Sequence, residues 1–184
     1  MKKISVAFIL AFGFLTNSNS VQADELEDLT KGKGEIIYQD SEITVRSFGT
    51  DEKIAQAIAN DKDTVESSFN NPIQSKQNSS ILYSSVTGPG GVSRINPCDT
   101  RRCVYWQVKP ATVFPYNFNG TVKLRYHSGF KRDAFVFGFG MAGSTTSGIV
   151  EMNKNNGGVA YLTGAAYDLR GERYKVLPGV HTSF

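Results

Sequence analysis

The chain is poor in the residues that build catalytic and metal centres. Its 184 residues include two histidines, two cysteines and one tryptophan. After Asn70 only five carboxylates remain: Asp99, Asp133, Glu151, Asp168 and Glu172. So few donors leave no Cys/His cluster with the ligand spacing of a zinc site. The shortage of carboxylates argues against a paired-acid glycosidase. A Ser-His-Asp hydrolase would have to use His127 with Asp133 and one of Ser128, Ser144 or Ser147. However, Gly143-Ser144-Thr145 lacks the glycine spacing of a nucleophile elbow. Gly138-Phe139-Gly140, followed by Gly143, lies in a strand pattern with no helix after it, so no nucleotide cofactor is expected. On these grounds no catalytic residue, metal or cofactor is assigned, and a hydrolase using His127 is the alternative reading.

Long apolar runs are also missing. Ile4 to Leu15 is twelve residues long, too short to span a bilayer. Lys2 and Lys3 precede it, and Val21-Gln22-Ala23 follows a polar stretch. Together these read as a secretory signal over residues 1–23, with a mature chain starting at Asp24. The expected location is extracellular, or periplasmic if the source has an outer membrane.

Gly, Ser, Thr and Asn are plentiful, and 12 Phe and 8 Tyr supply the aromatic content. This mix favours strands and tight turns over a helical bundle. The expected fold is mainly β: a small antiparallel β-sandwich or partly closed barrel with one N-terminal helix. Residues 24–70 form an acidic segment holding that helix. They carry 12 acidic and 5 basic residues, a net of −7. Residues 71–184 form a basic β-rich part with 5 acidic and 13 basic residues, a net of +8. The two parts either pack into one compact unit, their charges cancelling, or the first guards the second as a movable pro-segment.

Cys98 and Cys103 are close in sequence, and in an exported chain such a pair is most simply a disulfide. Closing so short a ring contributes about 2 kcal/mol at most and mainly stiffens the loop that displays Arg101 and Arg102.

Local patterns predict the elements. Asp24 to Lys33 reads as a frayed polar start. Two short strands are expected over Glu35 to Ser47, and a helix over Asp51 to Phe69 capped by Thr50. Ile81 to Thr87 reads as a strand, followed by a turn at Gly88-Pro89-Gly90-Gly91. Val104, Trp106 and Val108 alternate with Tyr105, Gln107 and Lys109. Asn119-Gly120 suggests a turn before a strand in which Val122, Leu124 and Tyr126 alternate with Lys123, Arg125 and His127. Lys131-Arg132 marks another turn. Ala134 to Gly140 puts Phe135, Phe137 and Phe139 on one face and Val136, Gly138 and Gly140 on the other, where something packs closely. Ile149 to Met152 and Val159 to Thr163 read as a hairpin around an Asn- and Gly-rich tip. Glu172 to Leu177 gives a last strand, with Arg173 and Lys175 outward.

The basic residues carry the functional expectation. Arg101, Arg102, Lys109, Lys123, Arg125, His127, Arg173 and Lys175, interleaved with Tyr105, would form a cationic surface. Such a surface suits an anionic cell-wall polymer or a membrane. The expected function is that of an exported, non-enzymatic binder of an anionic surface, in the class of bacteriocin-like toxins and antimicrobials. A protein-binding or inhibitor module presenting the Arg101-Arg102 loop is a further reading.

Overall fold

The computed structural model describes residues 21–61, 66–68, 85–88, 90–154, 157–176 and 179–184. The residues 1–20 of the expected signal and the polar connection 71–80 lie outside these. Two sheets form a sandwich that does not close into a barrel. The first sheet contains β1 (Glu35–Gln39), β2 (Ile43–Gly49), β3 (Glu66–Ser68), β4 (Ser85–Gly88), β5 (Gly91–Pro97), β6 (Cys103–Pro110) and β9 (Thr146–Met152). Its order is β1-β2-β9-β6-β5-β4-β3, antiparallel except for the β3–β4 pair. The second sheet contains β7 (Tyr116–Tyr126), β8 (Lys131–Gly140), β10 (Gly158–Asp168), β11 (Arg173–Lys175) and β12 (His181–Ser183). Here β8 pairs with β7 and β7 with β10, while β11 and β12 share the far edge of β10.

The period-two alternation of the strands builds the main core between the sheets. Ile43, Val45, Val104, Trp106, Val122, Leu124 and Val150 point into it with 0% exposure. Trp106 meets Phe118 across the gap, with ring centroids 5.8 Å apart. The opposite face of the first sheet is covered by two helices, α1 (Val21–Thr30) and α2 (Glu52–Asn60). Leu26, Phe48, Ile54 and Ile58 pack there on Tyr105, Ile149 and the Cys98–Cys103 disulfide.

Several expectations need correction. The segment expected to fray is helix α1. Its only apolar signal after Ala23 is Leu26 and Leu29, too little to mark a helix in isolation. The structure shows why it forms: Leu26 is buried and Thr30 Oγ1 lies 2.9 Å from the Tyr105 hydroxyl. The second helix stops at Asn60, and residues 66–68 form a strand. Its cap is Asp51 rather than Thr50: the Asp51 carboxylate accepts from the backbone N–H groups of Lys53 (3.0 Å) and Ile54 (3.1 Å).

The expected hairpin over Ile149 to Thr163 does not exist. Strand β9 pairs with β2 and β6, while β10 pairs with β7, β11 and β12, so the chain crosses from one sheet to the other. Asn119-Gly120 is no turn either. It lies inside the eleven-residue β7, where Gly120 faces Gly164. A Cβ on Gly120 would lie 2.5 Å from the Phe118 ring and 2.6 Å from the Thr163 carbonyl. The glycine serves close approach rather than chain reversal. Lys131-Arg132 opens β8, and the turn precedes it at 127–130.

The acidic N-terminal segment is interleaved with the rest. Strand β2 lies between β1 and β9, and the second helix seats on polar groups of the first sheet. Asn96 Nδ2 donates to the Ile58 carbonyl at 2.9 Å. Gln107, with its amide turned to suit its neighbours, donates to the Ala55 carbonyl (3.0 Å) and accepts from Arg94 Nη1 (2.7 Å). At the β1–β2 turn, Asp40 accepts from the backbone N–H groups of Ile43 and Glu42 and from the Tyr38 hydroxyl. These bonds, with Arg132 nearby, hold its carboxyl down at about 2.

Candidate functional site

The outer face of the second sheet is the sheet face with no described element packed over it. Odd-numbered residues point outward on its long strands, and their registers align in rows. From β8 across β7 and β10 to the far edge, the first row is Lys131, Arg125, Val159 and Ser183. The second row is Asp133, Lys123, Tyr161 and His181. Phe135, Thr121 and Thr163 follow, then Phe137, Asn119, Ala165 and Lys175. The last row is Phe139, Asn117, Tyr167 and Arg173.

Five basic residues and one acidic residue therefore share this face. The carboxylate, Asp133, is engaged by Arg125 Nη1 at 2.7 Å. The same nitrogen donates to the Leu124 and Arg132 carbonyls, which fixes the guanidinium in place. Lys123, Lys131, Arg173 and Lys175 form no salt bridge among the described residues. The Tyr161 ring stacks on His181 with centroids 5.6 Å apart. The Arg173 guanidinium lies 6.0 Å from the centre of the Tyr167 ring.

Phe135, Phe137 and Phe139 run along the edge strand with exposures of 72%, 51% and 53%. An alternating strand normally puts its large apolar residues inward, and here that rule is inverted. The inner side of β8 has no room for rings. A Cβ on Gly138 would lie 2.1 Å from the Thr146 methyl, and one on Gly140 2.3 Å from the Tyr116 ring. Tyr116 and Thr146 are themselves hydroxyl-bonded at 2.9 Å, so neither yields easily. Bare backbone lets the two sheets close there, and the phenylalanines take the remaining side.

The residues expected at a cationic surface divide. Lys123, Arg125, Arg173 and Lys175 stand together on this face, joined by Lys131, which the sequence pattern assigned to a turn. Arg101 borders it: its Nη1 donates to the Ser183 carbonyl at 3.1 Å. Arg102 is exposed in the same disulfide loop. His127 is exposed in the turn after β7, and its backbone N–H donates to the Gly157 carbonyl. Among the described residues no hydroxyl or carboxylate is in hydrogen-bonding contact with its ring. Lys109 is exposed on the opposite side of the sandwich, on the outward side of the first sheet. Tyr105 is not on any surface. It is 1% exposed beneath the helices, and burial pushes its phenol up to about 12. Alternation correctly placed it opposite Trp106, but nothing in the strand's own sequence announces the helices that cover it.

Among the described residues no group of three or more His, Cys, Asp and Glu could hold a metal ion. No described helix is long and apolar enough to cross a membrane.

No family model matches the chain, and no curated protein does. Among solved structures it is similar to the X-ray structure of Northeast Structural Genomics Consortium target SoR45. The identity is 8% and the TM-score 0.35, over 54% of this chain and 75% of that one. A likeness that low does not establish a shared fold.

Proposed function

We propose that this is an exported, non-enzymatic protein that binds an anionic surface or polymer through the outer face of its second sheet. The observation that carries the proposal is the charge balance of that face, five basic residues against one paired carboxylate. A flat, open array of this kind attracts polyanions, and the aromatic rings among the cations add contact area. Export is read from residues 1–23. Cleavage after Ala23 would remove the first three residues of α1 and leave its contacts through Leu26, Leu29 and Thr30 in place. A toxin or antimicrobial directed at an anionic envelope is the biological role that suits such a protein.

The test is salt dependence. The purified protein should bind soluble polyphosphate or vesicles containing phosphatidylglycerol at low ionic strength. Binding should collapse as the screening length falls from about 10 Å at 0.1 M to about 3 Å at 1 M salt. Binding that is absent at low salt, or that survives high salt undiminished, would overturn the proposal.

A further inference from the structure

Three loops meet at the end of the sandwich where β7 begins and β8 and β10 end. Residue Tyr116 is in register with both Gly140 and Asp168, which brings loop 111–115, loop 141–145 and turn 169–172 together. Each loop carries one strongly exposed aliphatic side chain: Val113 at 78%, Met141 at 57% and Leu169 at 71%. Phe139 and Tyr167 continue the apolar surface onto the sheet face.

These side chains are held outward by a built frame. The Asp168 side chain is fully buried. It accepts from Thr112 Oγ1 at 3.1 Å and from the backbone N–H groups of Arg170 and Glu172 at 2.9 and 3.0 Å. The Leu169 N–H donates to the Pro115 carbonyl at 3.2 Å, and Arg170 covers the Phe114 ring at 4.3 Å. In the third loop, Ser144 donates through its N–H and its hydroxyl to the Met141 carbonyl. The Tyr116 hydroxyl donates to the Ser144 carbonyl at 3.0 Å. Val113, Met141 and Leu169 are thus displayed by hydrogen-bonded turns. Glu172, the exposed acid here, is paired with Arg170 at 3.1 Å, and Arg173 and Lys175 follow on β11.

We infer that this tip inserts into the headgroup region of an anionic lipid bilayer, with Arg173 and Lys175, the cations of the two rows nearest the tip, on the lipid phosphates. The inference rests on the proposed function and narrows it from any anionic surface to a membrane. Charge complementarity selects anionic lipid over a zwitterionic surface. The aliphatic tip selects lipid over a hydrated polymer. Val113, Met141 and Leu169 have no strong hydrogen-bonding group to offer a polymer and would stay wet on one, whereas the acyl boundary takes them out of water.

The test compares the full chain with a charge-neutral triple variant, Val113→Gln, Met141→Gln and Leu169→Gln. Any contribution of residues 1–23 is common to both. Cosedimentation is measured with vesicles of equal phosphatidylglycerol and phosphatidylcholine, with pure phosphatidylcholine vesicles, and by titration with soluble polyphosphate. Circular dichroism confirms that the variant is folded, and the single variant Leu169→Gln serves if the triple is not. The triple variant should lose at least about tenfold in affinity for mixed vesicles, a single variant about threefold. Polyphosphate binding should be unchanged, and pure phosphatidylcholine should bind poorly. Equal vesicle binding by wild type and variant would overturn the insertion while leaving the proposed function standing. So would wild-type binding to polyphosphate but not to vesicles. A dimer that the variant abolishes would mean that a second copy covers the tip, and would also overturn the insertion. Failure of the wild type to bind either probe would overturn both readings.

Discussion

A chain lacking residues 24–70 is expected not to fold. The deletion removes β1, β2 and β3, which leaves β9 at the sheet edge, and takes Ile43 and Val45, both 0% exposed, out of the main core. It also removes Ile54 and Ile58 from the second core, at 2% and 0% exposure. At about 1.5–3 kcal/mol for each fully buried aliphatic side chain, these four alone amount to roughly 6–12 kcal/mol. That is comparable to the whole stability of a typical domain, about 5–15 kcal/mol. The outer face of the sheet left behind is uncovered as well: Tyr105 and Ile149, buried beneath the helices at 1% and 5% exposure, would face water. Circular dichroism and thermal unfolding of the truncated chain should show no cooperative transition. A truncated domain that melts cooperatively would revive the reading of the acidic segment as a detachable guard.

Trp106→Ala is expected to be the most damaging single substitution. The indole is 0% exposed at the centre of β6, opposite Gly148 on β9. It fills the space where a Gly148 side chain would stand, since a Cβ there would lie 2.7 Å from the indole and 2.4 Å from the Arg46 carbonyl. Strand β6 is hydrogen-bonded on both sides, to β5 and β9, so the backbone cannot collapse into the void. The expected loss is about 3–5 kcal/mol, or roughly 6–20 °C in Tm for a domain of this size. A loss below about 1 kcal/mol in denaturant unfolding would mean that the two sheets are not packed on this residue.

The sequence reveals some of this organisation and conceals the rest, for reasons visible at individual residues. Alternation in β2, β6 and β7 identifies their inward residues, because each strand's own pattern reflects one buried face. It places Lys123, Arg125, Arg173 and Lys175 outward for the same reason. Tyr105 and Gln107 look like solvent-facing residues because the helices that cover them come from a distant segment. The glycine face of β8 is legible as a place of close packing, but the groups that pack there, Thr146 and Tyr116, lie on other strands, so the outward turn of the three phenylalanines is not. The apparent hairpin around residues 153–158 is two well-formed strands whose partners lie elsewhere in the chain. The apolar tip is illegible in sequence, since Val113, Met141 and Leu169 are brought together only by the register of β7 with β8 and β10.

In the proposed function one face, rather than net charge, binds the anionic partner. Two variants with the same loss of charge separate these directly. One replaces Lys123, Lys131, Arg173 and Lys175 with Gln on the outer face of the second sheet. The other replaces Lys31, Lys33, Lys53 and Lys109 with Gln on the helix-covered side. Affinity for phosphatidylglycerol-containing vesicles should fall by at least about tenfold in the first, with each surface cation worth up to about 1 kcal/mol. It should change by less than about threefold in the second, whose charges stand off the binding face and are screened within about 8 Å at physiological salt. Equal weakening in both variants, or none in the first, would contradict the assignment of this face.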